Sequence, residues 1–189
     1  MLEGPEPGYI TTGEATRRYD PPVFVLEPLL TMQVRAAGMA DLPFVLGLAP
    51  RLAAFGLPPW RAETHVVEAE RRALARALEA ASPDGPVILA EDADGSRLGF
   101  AYLERQTDYF TGREHTHVSV LAVAHTAEGR GVGRALLDAA EAWARRHGDP
   151  FITLNVFSQN TRARAVYERL GYGPETLRYV KPLDRDRAP

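Results

Sequence analysis

The sequence predicts a mixed α/β domain, and three observations carry that expectation. Short apolar runs with strand character alternate with stretches whose apolar residues recur at helical spacing. Asp94-Gly95 joins two of those runs as a hairpin. Further on, a strand-like run at 117–123, an amphipathic helix and a buried run at 151–156 follow one another, the order of a right-handed crossover between parallel strands.

In chain order, residues 1–30 hold five of the fifteen prolines and show neither period, so they read as a Pro-rich arm ahead of a domain at 31–189. Met32-Gln33-Val34-Arg35 alternates like a strand that Gly38 ends. Asp41, two positions before Pro43, is expected to cap a helix carrying Leu42, Val45, Leu46, Leu52 and Phe55, with Pro50 interrupting it. After a turn at 56–59, Val66, Val67, Leu74, Ala77 and Leu78 mark a second helix, which Ser82-Pro83-Asp84-Gly85 stops.

The hairpin strands are expected at 87–90 and 98–103, and the long strand at 117–123. Leu136, Leu137, Ala140 and Trp143 form the stripe of the next helix, closed by His147-Gly148 and Pro150. The strand at 151–156 leads to a helix at 160–170 stopped by Gly171, and a last strand is expected at 177–183. The order is βααβββαβαβ.

Composition excludes several classes of function. With 22 basic against 25 acidic residues the net charge is −3, unlike a nucleic-acid binder, which needs a basic face. No apolar run is long enough to span a membrane, and residues 1–30 lack the order of a signal peptide, so a cytoplasmic protein is expected. Cysteine is absent, which removes disulfides, thiolate metal sites and a thioester on the protein. Lys181 is the sole lysine and sits near the C-terminus, a poor place for Schiff-base chemistry. Residues 125–189 carry eleven Arg or Lys against eight Asp or Glu, net +3 (11 − 8), a local field suited to a small anionic ligand.

Two motifs carry chemistry. Glu128-Gly129-Arg130-Gly131-Val132-Gly133-Arg134 lies between a strand and a helix. Alternate glycines let backbone N–H groups converge, the helix dipole adds positive potential, and Arg130 and Arg134 are placed to bond phosphate oxygens. The run fits neither a Walker-A loop nor a dinucleotide fingerprint. The second motif runs from Asn155 to Tyr172 and contains Asn160, Ala163, Tyr167 and Gly171-Tyr172.

Taken together and in this order, Leu121-Ala122-Val123, Gly131 and Gly133, Asn160, Ala163, Tyr167 and Gly171-Tyr172 resemble the GNAT superfamily of N-acetyltransferases over residues 32–183. The resemblance implies a mixed, mostly antiparallel sheet whose parallel central strands splay apart, flanked by helices. It implies acetyl-CoA as co-substrate, its pyrophosphate bound by Glu128, Gly129, Arg130, Gly131, Val132, Gly133 and Arg134. Leu121, Ala122 and Val123 would orient the thioester through backbone N–H groups, and Asn160, Ala163 and Tyr167 would border it. Glu128 departs from the Gln or Arg usual in the family. Tyr167 would protonate the departing thiolate.

The acceptor expected is a primary amine of a small molecule or a peptide N-terminus. A general base must take its proton. Some relatives carry a Glu on the strand where this chain has Asn155, so the candidates are Glu114, His115 and His117, with His117 and Glu114 leading. His115 and His117 share one strand face. A metal would need a third ligand that the sequence does not supply, and none is expected. Glu63, Glu104, Asp108 and Glu114 are the acids placed to converge on an acceptor, and Phe55, Trp60, Tyr102, Tyr109 and Phe110 the nearby aromatics. A homodimer is expected from edge-strand pairing in the family. The competing reading is a CoA-binding regulatory module without turnover.

Overall fold

The structure is a computed structural model that describes residues 32–183. The arm expected at 1–30 lies outside them. Within them, five strands form one sheet in the order β1 (Gln33–Ala36), β2 (Val87–Glu91), β3 (Arg97–Thr107), β4 (Glu114–Val123) and β5 (Ile152–Leu154). The first three junctions are antiparallel and β4–β5 is parallel. The expected hairpin is β2–β3, and Gly95 makes its turn with φ +81°, a left-handed conformation that favours glycine.

Among the described residues, four α-helices flank the sheet: α1 (Leu42–Gly47), α2 (Glu63–Ala80), α3 (Val132–Arg146) and α4 (Thr161–Arg169). Pro50 does break the first helix, leaving six residues of α1 and a separate 3-10 turn at Ala49–Leu52. On one face, Leu136, Leu137, Ala140 and Trp143 of α3 pack on Ala90, Leu98, Ala101, Leu103 and Val118. On the other, Val45 of α1 and Leu74 and Leu78 of α2 cover Val87, Phe100, Val120 and Ala122. Fully burying each large aliphatic side chain contributes about 1.5–3 kcal/mol, so these two clusters dominate the stability.

In β4 the pairing register shifts between Tyr102↔Val120 and Leu103↔Val118, so Ser119 is an extra residue, a β-bulge. The bulge moves Val118 to the α3 face while Val120 and Ala122 stay on the α2 face.

Three expectations need correction. No strand forms at 177–183: Leu177, Tyr179 and Leu183 are exposed and no neighbouring strand pairs with them. The apolar-polar alternation there is a local signal, whereas a strand requires a partner, and β5 is three residues long. The strand at 151–156 shrinks accordingly to Ile152–Leu154. Asp41 makes no side-chain cap to α1; its buried carboxylate takes Arg35 Nη1 (2.8 Å), Arg97 Nε (2.6 Å) and the Gly38 N–H (3.0 Å), tying β1, β3 and the α1 entry together. Its pKa is pushed well below the usual carboxylate range, chiefly by the hydrogen bond from Arg35.

Among the described residues no helix is long and apolar enough to cross a membrane.

Candidate active site

The parallel pairing of β4 with β5 covers three residue pairs, Thr116↔Ile152, His117↔Thr153 and Val118↔Leu154. Strand β4 continues to Val123, so the β4 edge at 119–123 has no β5 pairing and the two strands part there. The first turn of α3 adjoins that gap: a Cβ built on Gly133 would lie 3.8 Å from Val123 Cγ2 and meet nothing closer. Gly129 and Gly131 precede it with φ of +77° and +81°. These turns leave the amides of Val132, Gly133 and Arg134 at a helix start, where no intrahelical acceptor exists for them. Amides plus dipole make this an anion site.

The charged side chains of this loop have partners within the protein. Arg130 Nη2 lies 2.6 Å from Asp92 Oδ2, fastening the loop to the β2–β3 turn, so the guanidinium expected to reach a phosphate is engaged. Arg134 lies 3.6 Å from Asp138 and is largely exposed. Glu128 contacts Arg51, takes Arg162 Nη2 at 2.8 Å and is 3.4 Å from His125 Nδ1. Its pKa is lowered to about 2, first by the Arg162 hydrogen bond. A carboxylate at this position therefore gathers Arg51 and Arg162 beside the loop.

On the far side of the gap, Asn160 caps α4, its Oδ1 accepting the Ala163 N–H at 3.1 Å. Tyr167 packs, with Leu121 and Val123, against the cluster beneath α3, its ring 6.0 Å from that of Tyr172. Burial pushes its hydroxyl pKa up, so Tyr167 stays a proton donor at neutral pH. The structure thus brings Leu121, Val123, Tyr167 and the α3 start to one place. Ala122 points the other way, into the α2-side cluster.

On that opposite face lies a cavity of about 540 Å³, walled by Glu70 and Arg76 of α2, Tyr102 and Glu104 of β3, and Ser119 and Val120 of β4. The Tyr102 hydroxyl donates to Glu104 Oε1 at 3.1 Å, and the Ser119 hydroxyl donates to Oε2. Burial, then the charge of Glu104, raises the pKa of Glu70. Burial, then Glu104, pushes the Tyr102 hydroxyl up to about 12. The cavity meets β4 at the residues where β5 has already departed, so a ligand entering from the α3 side and one in the cavity would share the strand from Ser119 onward.

Glu104 and His117 are paired opposite each other on β3 and β4, which places the imidazole beside the cavity's carboxylate. His117 is 6% exposed, and burial lowers its pKa against the opposing pull of Glu104. His115 is buried on the same face, and neither histidine is among the residues that line the cavity. Glu114 is exposed at the outer end of β4, 3.5 Å from Arg105, and does not line the cavity. Of the four acids expected to converge, only Glu104 walls it. Tyr109 and Phe110 are exposed in the β3–β4 loop. Sequence reading passed over Glu70, although a carboxylate three residues after Val67 and four before Leu74, inside the apolar stripe of α2, is the signal that finds it. Among the described residues no group of three or more His, Asp or Glu could hold a metal ion.

Comparison with known proteins fits this geometry. The acetyltransferase (GNAT) family model matches residues 55–172, from the end of the α1 region through the last helix. The aminoglycoside N(6')-acetyltransferase type 1 of Stenotrophomonas maltophilia is 37% identical over 103 residues, 53% of this chain and 67% of that protein. A mycothiol acetyltransferase of Beutenbergia cavernae is 39% identical over 87 residues, 46% of this chain, which thus spans only 28% of that relative. The solved structure of aminoglycoside N-acetyltransferase AAC(6')-Iy in complex with CoA superposes with a TM-score of 0.61 at 23% identity, covering 82% of this chain and 96% of that one, and so shares the fold. With the family model covering well over half of the sequence, and the parted β4–β5 pair and glycine turn where the motifs place them, the chain belongs to the acetyltransferase (GNAT) family and is an acyltransferase.

Proposed function

We propose that the protein transfers the acetyl group of acetyl-CoA directly to a primary amine, of a small molecule or a peptide N-terminus, that binds as an ammonium ion against Glu104 and Glu70. The observation that carries this reading is the shared strand: β4 presents unpaired edge backbone at 119–123 toward the α3 start on one side and, on the other, walls a cavity that holds Glu104 and Glu70.

The residues present fit acetyl-CoA. The amides of Val132, Gly133 and Arg134 would take the pyrophosphate, and the space beside Gly133 is clear of everything nearer than Val123. Arg51 and Arg162, held nearby by Glu128, supply further positive charge. When bound, the thioester supplies an activated acyl group. Backbone N–H groups at 121–123 orient its carbonyl and stabilise the charge that develops on the oxygen.

On the acceptor side, Glu104 and Glu70 of the cavity wall hold the ammonium, and His117, opposite Glu104 on β4 and kept neutral by burial, takes its proton. The amine so released faces the acyl carbon, and this positioning can lower the barrier by several kcal/mol. Tyr167 gives its proton to the departing thiolate. No step needs a nucleophile on the protein, in keeping with a chain that has no Cys.

Calorimetric titration with acetyl-CoA, with ATP as control, tests the donor half. Selective binding of acetyl-CoA supports the reading, and binding of neither or equal binding of both refutes it. For the acceptor half, Glu104→Gln keeps the shape and removes the charge. We expect it to raise KM for an accepted amine roughly tenfold or more while the Kd of acetyl-CoA stays unchanged, since a hydrogen-bonded charge contact contributes about 1.5–3 kcal/mol. An unchanged KM would remove Glu104 from the acceptor site.

A further inference from the structure

Beside the cavity, the β4–β5 junction carries four polar side chains in a single hydrogen-bonded row. Asn155 Nδ2 is 3.3 Å from His117 Nε2, His117 Nδ1 is 2.8 Å from Thr153 Oγ1, and the same Oγ1 is 3.0 Å from His115 Nε2. The chemistry of the groups orders the protons. An amide nitrogen only donates, so His117 Nε2 accepts and its ring proton sits on Nδ1. Nδ1–H then donates to Thr153 Oγ1, whose one other hydrogen-bond partner among the described residues is His115 Nε2, so the hydroxyl proton is satisfied by donating there. His115 therefore carries its own proton on Nδ1, a buried atom that has no partner among the described residues.

A row built only to hold two strands together would satisfy its last member. Here every link points one way, from the mouth of the β4–β5 gap at Asn155 toward the outer end of β4, and the terminal nitrogen is already protonated. Glu104 of β3 stands opposite His117 and shares the cavity wall with Glu70 of α2. Phe151, ahead of β5, packs on the His115 ring at 4.8 Å. A positive charge formed on His117 can therefore move along the row to His115, away from the amine.

We propose that Asn155, His117, Thr153 and His115 form a proton relay for acetyl transfer, with Thr153 and His115 as positioning residues that act through His117. The proposal rests on the reading of His117 as the general base. As the acceptor ammonium displaces the long Asn155 contact, its proton passes to His117 Nε2. The Nδ1 proton of His117 passes to Thr153 Oγ1, and the hydroxyl proton of Thr153 passes to His115 Nε2. Three bonds to hydrogen break (ammonium N–H, His117 Nδ1–H, Thr153 O–H) and three form. The single positive charge moves from the ammonium to the His115 imidazolium, and the lone pair freed on the amine attacks the acyl carbon.

Two experiments on the full chain test this. Nitrogen-15 NMR of the imidazoles near neutral pH requires no acceptor: both His115 and His117 are expected as Nδ1–H tautomers, and finding either ring as Nε2–H overturns the relay. Kinetics then compare Thr153→Val, which keeps the shape and removes the hydroxyl, with Thr153→Ser, which keeps the hydroxyl. The valine variant is expected to lose roughly tenfold or more in kcat at neutral pH, to regain part of it as pH rises and free amine becomes available, and to keep the native Kd for acetyl-CoA. The serine variant is expected to restore the native pH–rate profile. A native profile for Thr153→Val overturns the relay alone, and so does a Thr153→Ser profile matching that of the valine variant. Absence of thiol release by the unaltered protein with every amine overturns the acetyl-transfer reading and the relay with it.

Discussion

Gly99 is the residue whose side chain the donor site cannot accommodate. It lies in β3 opposite Val123, and a Cβ built on it would sit 2.7 Å from the Ala122 carbonyl oxygen and 3.1 Å from both Val123 Cα and Val132 Cγ1. Real Cβ contacts below 3.0 Å are essentially never seen, so Gly99→Ala must move the end of β4 or the start of α3 by at least about 0.3 Å (3.0 − 2.7). Two of the three obstacles are backbone, which cannot swing aside as a side-chain tip would. Overpacking of this kind costs about 1–3 kcal/mol, which for a domain of this size lowers Tm by roughly 4–8 °C at a mid-range 2 kcal/mol. Because the displaced groups are those that line the gap, the Kd for acetyl-CoA should rise as well.

The assay is thermal unfolding by circular dichroism, paired with calorimetry. Gly47→Ala is the control: nothing lies within 4 Å of its added Cβ, its φ is not left-handed, and alanine favours the helix, so Tm should hold or rise slightly. If Gly99→Ala melts and binds acetyl-CoA like the native protein, the close approach of β3 to β4 and α3 does not set the donor site, and the reasoning fails.

Two further predictions concern single groups. Tyr167→Phe is expected to lower kcat at least about tenfold with little change in acetyl-CoA binding, the signature of a proton donor used late in the reaction; unchanged turnover removes Tyr167 from the chemistry. Asp41→Asn leaves Arg35 and Arg97 without their shared carboxylate, and since both arginines are partly solvated we expect a loss of roughly 2–3 kcal/mol, below the range for a fully buried pair. The folded pKa of Asp41 is depressed, so its contribution is complete above the unfolded value near ~3.9 and is lost as pH falls toward the folded one. Urea titrations of both proteins across that window should therefore converge at low pH, and a gap independent of pH would contradict the assignment.

The parts of this molecule written in short-range patterns were legible before the structure. The Asp94-Gly95 hairpin, the β4–α3–β5 crossover and the stripe of α3 are set by residues close in sequence. The glycine turn was legible for the same reason, because left-handed φ at Gly129 and Gly131 is a local demand. What failed depends on partners far along the chain. The alternation at 177–183 is strand-like, yet no neighbouring strand pairs with it. Arg130 looked available for phosphate until Asp92, 38 residues away, took it. Glu70 and Glu104 meet only because α2 crosses the sheet above β3, and the row from Asn155 to His115 exists only because β5 lies parallel to β4 in this register. Tertiary pairing of charges and side chains leaves little trace in composition or period.

Thiol release decides whether the protein acetylates amines: the full chain is supplied with acetyl-CoA and a panel of primary amines, followed with a thiol reagent and checked by mass for the acetylated amine. Absence of Cys from the protein leaves the reagent no background. At least one amine is expected to give free CoA and its acetylated product in equal amounts, and the rate to fall on lowering the pH as the amine and His117 hold their protons. Thiol release without an acetylated amine, or none with any amine despite tight acetyl-CoA binding, would contradict acetyl transfer to an amine.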